Sequence, residues 1–140
     1  MGFCKTDDEK FEIFGNSRLI SSFEKYFEIN LLDEVNFFSP SAKAGELFEI
    51  PVMHEGATVD RIYLVGLGDK TPASLRAAGA ALGRKVRGKA IELVSLCAES
   101  PAEIQAHGVS ILLGAYTWNL KTGKPAEIAT IALATKDAKA

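Results

Sequence analysis

The fold is decided by the stretch from Arg61 to Leu96, which reads RIYLVGLGDKTPASLRAAGAALGRKVRGKAIELVSL. Ile62 to Leu67 is a short apolar run ended by Gly66 and Gly68, which is typical of a strand buried on both faces. Thr71 precedes a proline, which is a helix N-cap signal, and Gly88 predicts the end of that helix. Ile91 to Leu96 follows as a second apolar strand. This order predicts a right-handed crossover that joins two paired, parallel strands.

The helix between these strands is amphipathic, because small and apolar residues recur at the spacing of one helical face. That face comprises Leu75, Ala78, Gly79, Leu82 and Val86. The basic residues fall largely elsewhere, and we interpret Arg84, Lys85, Arg87 and Lys89 as the solvated side and end of the helix. Cations are favourable at a helix C-terminus, so this cluster does not require a nucleic-acid partner.

The chain before this stretch predicts two strands and a helix. Phe11 to Phe14 reads as a first strand. Apolar residues then recur at every fourth position, which predicts one helix from about Ser17 to Asn36. These residues are Leu19, Phe23, Phe27, Leu31 and Val35. The Ser39-Pro40-Ser41 cluster ends the helix. Leu47 to Val52 reads as a strand that pairs antiparallel with the strand beginning at Ile62.

The chain after the stretch predicts a helix and a last strand. Ser100, Pro101 and Glu103 form a capping box with proline at the first helical position. The inward face is expected to contain Ile104, Ile111, Leu112, Ala115 and Trp118. Residues 121–125 end the helix, and residues 127–133 form the strand. Together these elements predict a three-layer α/β sandwich with a mixed sheet.

Composition sets limits on function. A chain of 140 residues suffices for one domain with an adequate core. Sixteen basic and eighteen acidic side chains give a net charge of -2, which offers no support for binding nucleic acid. No apolar run reaches the ~18 residues of a membrane span, and the first 21 residues lack the apolar centre of a signal peptide. We therefore expect a cytoplasmic protein without a membrane partner.

The two cysteines are too few for a disulfide framework. Cys97 ends an apolar strand and reads as a small buried hydrophobe. Cys4 lies in a polar segment that is expected to be disordered.

Three motifs resemble the N-terminal domain of the leucyl (cytosol) aminopeptidase family. They are the turn Lys43-Ala44-Gly45-Glu46, the strand end Val65-Gly66-Leu67-Gly68, and the helix segment from Gly108 to Tyr116. The resemblance covers residues 42–134 and implies a macro-domain-like fold. Residues 1–41 match poorly, and their predicted strand and helix are assigned to the same domain. Residues 135–140 read as a tail that leads to the family's interdomain linker.

The resemblance also implies what this chain does not contain. The family carries its chemistry in a C-terminal domain, where lysine, aspartate and glutamate side chains hold two divalent metal ions around an N-T-D-A-E-G-R segment. No such segment occurs here. The resemblance therefore implies a non-catalytic domain that contributes to assembly and shapes access to the active site. Its partners are then its own catalytic domain and the subunits of a homo-oligomer.

The loop between the first strand and helix of the opening stretch is the anion-site candidate, through Gly66, Gly68, Lys70 and Thr71. Backbone amides at such a junction can bind phosphate. The loop lacks the third glycine of a dinucleotide fingerprint, and Asp69 replaces the glycine before the Lys-Thr of a P-loop. A plain strand-to-helix turn is the favoured interpretation. A macro-like module that binds a nucleotide or ADP-ribose is the alternative.

Other polar residues favour structural roles. His54 and His107 have no partner at metal-ligand spacing. A Cys97–His107 nucleophile pair needs an orienting third group and an open pocket, and the apolar strand argues against both. The run Asp7-Asp8-Glu9 reads as a solvated acidic tail. Gly79, Gly83 and Gly108 are expected to let helices approach the sheet closely. The sequence thus predicts no catalytic residue, metal ligand or cofactor in this chain.

Overall fold

A computed structural model describes residues 1–117 and 126–134. This part of the chain contains six strands and four helices. In chain order they are β1 (Gly2–Lys5), β2 (Phe11–Phe14), α1 (Ser17–Phe27), α2 (Leu31–Phe38), β3 (Leu47–Pro51), β4 (Arg61–Gly66), α3 (Pro72–Val86), β5 (Glu92–Ser95), α4 (Pro101–Ala115) and β6 (Thr130–Leu133). Trp118, the predicted helix end at residues 121–125 and the tail 135–140 lie outside the described residues.

The strands form two sheets. A mixed sheet has the order β2-β1-β4-β3, in which β1 and β4 are parallel and the other pairs are antiparallel. A second sheet consists of β5 and β6, which are parallel. The antiparallel pairing of β3 with β4 confirms that prediction. The predicted pairing of β4 with β5 is wrong within the described residues, because β1 lies beside β4 and β6 lies beside β5.

Helices cover the four-stranded sheet on both faces, which gives the predicted sandwich. Side chains alternate along a strand, so successive residues of β4 face different layers. Ile62 and Leu64 pack with Ile20, Leu31 and Val35 of α1 and α2. On the other face, Tyr63 joins a cluster with Leu82 and Val86 of α3 and Ile111 of α4.

The N-terminal part departs from the sequence prediction at two places. The expected helix from Ser17 to Asn36 is two helices, because Glu28 adopts a left-handed conformation with φ of 52° and Asn30 caps a new helix. The side chain of Asn30 accepts hydrogen bonds from the amides of Leu32 and Asp33. Four-residue spacing alone could not show the break between α1 and α2.

The expectation of disorder around Cys4 is also wrong, since Cys4 is buried in β1.

Both predicted helix starts in the second half of the chain are confirmed. Thr71 caps α3 with proline at the first position. Ser100 and Glu103 form the predicted capping box of α4. Of the side chains predicted for its inward face, Ile111 is fully buried, whereas the prediction for Leu112 is wrong, because Leu112 is 60% exposed on the outer face. The last two strands are shorter than predicted: β5 is Glu92–Ser95, and β6 begins at Thr130 instead of residue 127.

Small residues bring α3 and α4 into backbone contact. A Cβ at Gly79 would overlap the His107 carbonyl oxygen, and a Cβ at Gly83 would overlap that of Ile111. These two glycines therefore allow contact with a helix, not with the sheet as predicted. Gly108 does face a strand, because a Cβ there would overlap the Leu133 side chain of β6.

Candidate functional site

The anion-site candidates lie between β4 and α3, where a second turn packs against them. The Gly45 amide donates a hydrogen bond to the Gly66 carbonyl at 2.9 Å, and the Gly68 amide donates to the Ala42 carbonyl at 3.2 Å. A Cβ at Gly66 would overlap the Lys43 carbonyl oxygen, so this close approach requires glycine. Two of the motifs that carry the family resemblance are therefore in direct contact.

The N-terminus of α3 is occupied by a carboxylate of its own loop. Asp69 Oδ1 accepts hydrogen bonds from the Thr71 amide at 3.2 Å, the Thr71 hydroxyl at 2.9 Å and the Ser74 hydroxyl. The bonds from Ser74 and Thr71 lower the pKa of Asp69 from its usual value. Thr71 Oγ1 in turn accepts from the Ser74 amide at 3.3 Å. Asp69 thus holds the position in which a helix N-terminus favours an anion.

Lys70 does not converge on these donors. Its ammonium lies 5.1 Å from the centroid of the Phe14 ring, and its amide donates to the Leu67 carbonyl at 3.0 Å. A phosphate at this loop would compete with Asp69 for the same hydrogen-bond donors. This geometry favours the strand-to-helix turn, while anion binding at Gly66, Gly68, Lys70 and Thr71 stays a prediction.

The structure brings His107 and Cys97 together with Ser95, which the sequence did not single out. His107 on α4 is fully buried. Its Nδ1 lies 3.2 Å from the Leu75 carbonyl oxygen, and its Nε2 lies 3.0 Å from Ser95 Oγ. A carbonyl oxygen only accepts, so Nδ1 carries the proton of the bond to Leu75, and Ser95 Oγ is the hydrogen-bond partner of Nε2. The Cys97 amide donates to Ser95 Oγ at 3.4 Å.

A histidine oriented in this way can activate a nearby nucleophile, but the Cys97 thiol is buried and solvent does not reach it. Burial raises the pKa of the Cys97 thiol, yet the N-terminal ammonium and a hydrogen bond with His107 outweigh burial and lower the pKa to about 7. The Leu75 carbonyl supplies the orienting group that the sequence did not reveal. Ser95, Cys97 and His107 are each no more than 2% exposed, so no substrate reaches them. The cluster instead links α4 to α3 and β5.

The remaining metal-ligand candidates are dispersed. His54 is exposed after β3, with its ring centroid 4.1 Å from that of Tyr26. Asp7, Asp8 and Glu9 lie in the exposed turn between β1 and β2, so they form a hairpin turn and not the predicted tail. Within residues 1–117 and 126–134, no three His, Cys, Asp or Glu side chains are grouped closely enough to hold a metal ion.

The basic cluster at the end of α3 is partly engaged. Lys85 Nζ lies 2.7 Å from Glu49 Oε2, and the hydrogen bond with Lys85 lowers the pKa of Glu49. The Arg87 guanidinium donates two hydrogen bonds, at 2.9 and 2.7 Å, to the Gly114 carbonyl near the end of α4. Arg84 and Lys89 are exposed, as predicted for the solvated side of this helix.

A cleft that the sequence did not predict lies between β4 and β5. Its volume is about 450 Å³. Its lining is mostly apolar and comes from the N-terminal residue, α1, both strands and α3. Its apolar lining includes Met1, Leu19, Phe23, Val59, Tyr63, Leu82, Leu93 and Val94, and the charged residues Asp60, Arg61 and Glu92 also line it. Periodicity could not reveal this cleft, because it depends on how the two sheets are placed.

The fold defines this protein first as an α/β sandwich. In its loop between β4 and α3, the Asp69 carboxylate occupies the N-terminus of α3. Among solved structures, this chain resembles a mutant of tomato leucine aminopeptidase with a TM-score of 0.57 and 17% sequence identity. The match covers 93% of this chain and 27% of that chain, and at this identity it shows the fold alone. No curated protein matches the sequence.

The family follows from the sequence profile of the cytosol aminopeptidase family, N-terminal domain, which matches residues 30–124. The chain therefore belongs to this family, and the resemblance seen in its motifs is confirmed. No helix within the described ranges is long and apolar enough to cross a membrane.

Proposed function

We propose that this chain is the non-catalytic N-terminal domain of a metal-dependent leucyl aminopeptidase, an enzyme that removes N-terminal amino acids from peptides in the cytoplasm. The family match over residues 30–124 carries this proposal. The chain spans 27% of the length of the tomato enzyme that shares its fold, which is consistent with a separate catalytic region. Two divalent metal ions then belong to the catalytic domain. Membrane and nucleic-acid partners have no part in the proposal.

The proposed role is assembly with the catalytic domain and with other subunits, and the outer face of α4 supports it. Three apolar side chains of this helix and that of its C-cap residue are between 49% and 70% exposed. They are Val109, Leu112, Leu113 and Tyr116, which follow the i, i+3, i+4, i+7 spacing of one face. A continuous exposed apolar stripe is typical of a protein interface. Covering this stripe can fix the domain where it shapes access to the active site.

Two experiments test the proposal. The reading frame downstream of the Ala140 codon is expected to encode the family's metal-binding segment. If it does not, the chain is expected to assemble as a separate protein with a full-length family enzyme. Co-expression with such an enzyme and size-exclusion chromatography then show co-elution that Leu112→Lys with Leu113→Lys abolishes. Met53→Lys, at a site 93% exposed after β3, is the control and leaves co-elution unchanged. Failure of both experiments contradicts the proposal.

The purified chain alone is expected to release no leucine from a leucyl amide, because a two-metal site needs convergent ligands. Metal-stimulated release that persists through repurification contradicts this expectation. The nucleotide-binding alternative is tested by calorimetric titration with ADP-ribose. Asp69 opposes a phosphate at the loop, so we expect a Kd weaker than about 1 mM. Saturable binding below about 100 μM that Gly68→Val abolishes favours the alternative.

A further inference from the structure

The outer surface of the α3–α4 layer combines an apolar stripe with arginines. On α4 and its C-cap, Leu113 and Tyr116 are 70% and 62% exposed. The sequence of α3 contains basic residues and no acidic residue, and its Arg84 is exposed. The Arg87 guanidinium donates two hydrogen bonds to the Gly114 carbonyl, which holds this cation beside the stripe. The surface is therefore apolar along α4 and positive along α3.

Close packing of the two helices keeps the other arginines next to the stripe. A Cβ at Gly114 would lie 2.7 Å from the Ala80 carbonyl oxygen, so α3 and α4 cross at these residues. Arg76 precedes Ala80 by four residues and Arg84 follows it by four, and residues four apart share one face of a helix. Both arginines are exposed. Each lies about 6 Å along the helix axis from the crossing point.

The other side of the sandwich presents complementary chemistry on α2. Leu32 and Phe37 are 39% and 82% exposed. Asp33 is exposed and Glu34 is half-buried, and the sequence of α2 contains no basic residue. Asp33 and Phe37 are four positions apart, so the carboxylate and the exposed ring share one helical face. The outer face of α2 is therefore apolar and negative.

The two faces cannot meet within one molecule, because the sheet separates them. Helices α1 and α2 pack on Ile62 and Leu64 of β4. Helices α3 and α4 pack on Tyr63, whose side chain points to the opposite side of the sheet. Contact between the two faces therefore needs two molecules. Since each molecule carries both faces, the contact is heterologous and leaves one face of each kind for the next copy.

We infer that a second copy of this chain covers the α3–α4 stripe with its α2 helix, so that copies associate head to tail. Apolar side chains from both faces form the centre of this contact, and arginines of one copy lie opposite Asp33 and Glu34 of the other. An apolar centre with complementary charge around it is typical of a specific interface. A symmetric contact between two α3–α4 faces brings together only positive charge, which is unfavourable. The inference rests on the proposed assembly role and names a contact between subunits.

The test measures self-association of the purified full chain by sedimentation equilibrium. A Kd below about 100 μM is expected. Phe37→Lys disables the α2 face and Leu113→Glu disables the α3–α4 face, because each places a like charge against the facing copy. Either variant alone is expected to stay monomeric where the parent associates, since a heterologous contact needs one face of each kind. An equimolar mixture retains one intact face of each kind and is expected to form a one-to-one dimer.

Further variants test the charges and control for folding. Asp33→Arg is expected to weaken self-association at least about fivefold, because it faces arginines. Met53→Lys is the matched control, since Met53 is 93% exposed after β3 and belongs to neither face. Its Kd is expected to stay within about twofold of that of the parent. Circular dichroism checks that each variant folds, and Tyr116→Glu replaces Leu113→Glu if the latter is unfolded.

Several results overturn the inference. One is a monomeric parent chain at about 500 μM. If such a chain still co-elutes with a full-length family enzyme, the stripe is assigned to the catalytic domain, and the proposed function remains. Another is parental self-association of Phe37→Lys alone, which indicates a contact without α2. A third is a mixture of Phe37→Lys and Leu113→Glu that stays monomeric, and a fourth is an equal loss in Met53→Lys.

Discussion

The two helical layers of this sandwich are packed by different means. In the α3–α4 layer, a Cβ at Gly79, Gly83 or Gly114 would come against the backbone of the other helix. In the α1–α2 layer, aromatic rings fill the space: Phe23 and Phe27 lie 4.4 Å apart, and Phe38 stacks on Phe48 of β3 at 4.6 Å. Rings can rotate and shift to absorb a change, whereas a backbone carbonyl cannot move without its helix. The first layer is therefore expected to tolerate added volume far less than the second.

The largest effect is expected from Gly83→Val, because its side chain meets the Ile111 carbonyl and the Ala115 amide. We expect a loss of about 5 kcal/mol in the free energy of unfolding, the upper end for single substitutions. Phe27→Trp, which adds volume in the ring-packed layer, is expected to cost about 1 kcal/mol, since Phe27 is only half-buried. Urea denaturation measures both, and equal costs contradict the distinction between the layers.

Removing volume from the α3–α4 layer is the next largest effect. Leu82 and Ile111 are buried between the helices and the sheet. Each change to alanine is expected to cost about 2 to 5 kcal/mol, because close-packed backbones cannot collapse into the space. The control Arg84→Ala, on the exposed side of α3, is expected to cost less than about 1 kcal/mol. If Arg84→Ala costs as much as Leu82→Ala, the assigned helix face is incorrect.

The two cysteines are expected to respond to pH with opposite signs. The pKa of Cys97 is lowered to about 7, so the folded state favours its thiolate. Its contribution is fully present above the unfolded pKa of ~8.5 and is lost as the pH falls through 7; it amounts to about 2 kcal/mol. Burial raises the pKa of Cys4, so the contribution of Cys4 is present below the unfolded pKa and declines as the pH rises.

Urea midpoints measured from pH 6.5 to 9 in the parent, Cys97→Ala and Cys4→Ala check this contrast. Relative to the parent, Cys97→Ala is expected to lose the rise in stability between pH 7 and 8.5, whatever its baseline stability. Cys4→Ala is expected to retain that rise. A rise of equal size in Cys97→Ala and the parent refutes the assigned thiolate.

Capping substitutions are expected to have the smallest effects and to cost the same in both layers. Asn30→Ala removes the acceptor for two amides at the start of α2, and Ser100→Ala removes the acceptor for the Glu103 amide in α4. Each is expected to cost about 1 kcal/mol by thermal denaturation, while Asn30→Asp retains most of the stability. If Asn30→Ala costs several kcal/mol, the break between α1 and α2 supports more than a cap.

Local chemistry explains which elements the sequence could predict. The starts of α3 and α4 were readable because Thr71, Ser100 and Glu103 bond to amides within three residues along the chain. The division between α1 and α2 was missed because a four-residue apolar period continues through Glu28 and Asn30. β1 was missed because its burial comes from β2 and β4, which are distant in sequence.

The sequence by itself determined the α/β class, the family motifs and the absence of a recognisable metal-binding segment, since these depend on residue type and short spacing. Tertiary structure alone decided that Asp69 closes the candidate anion loop, that Ser95, Cys97 and His107 meet, and that β4 and β5 stay apart with a cleft between them. The physical reason is the separation along the chain of the groups that interact. Caps and periodic faces act over a few residues, whereas strand pairing and buried polar contacts are settled by which distant segments compete for the same edge.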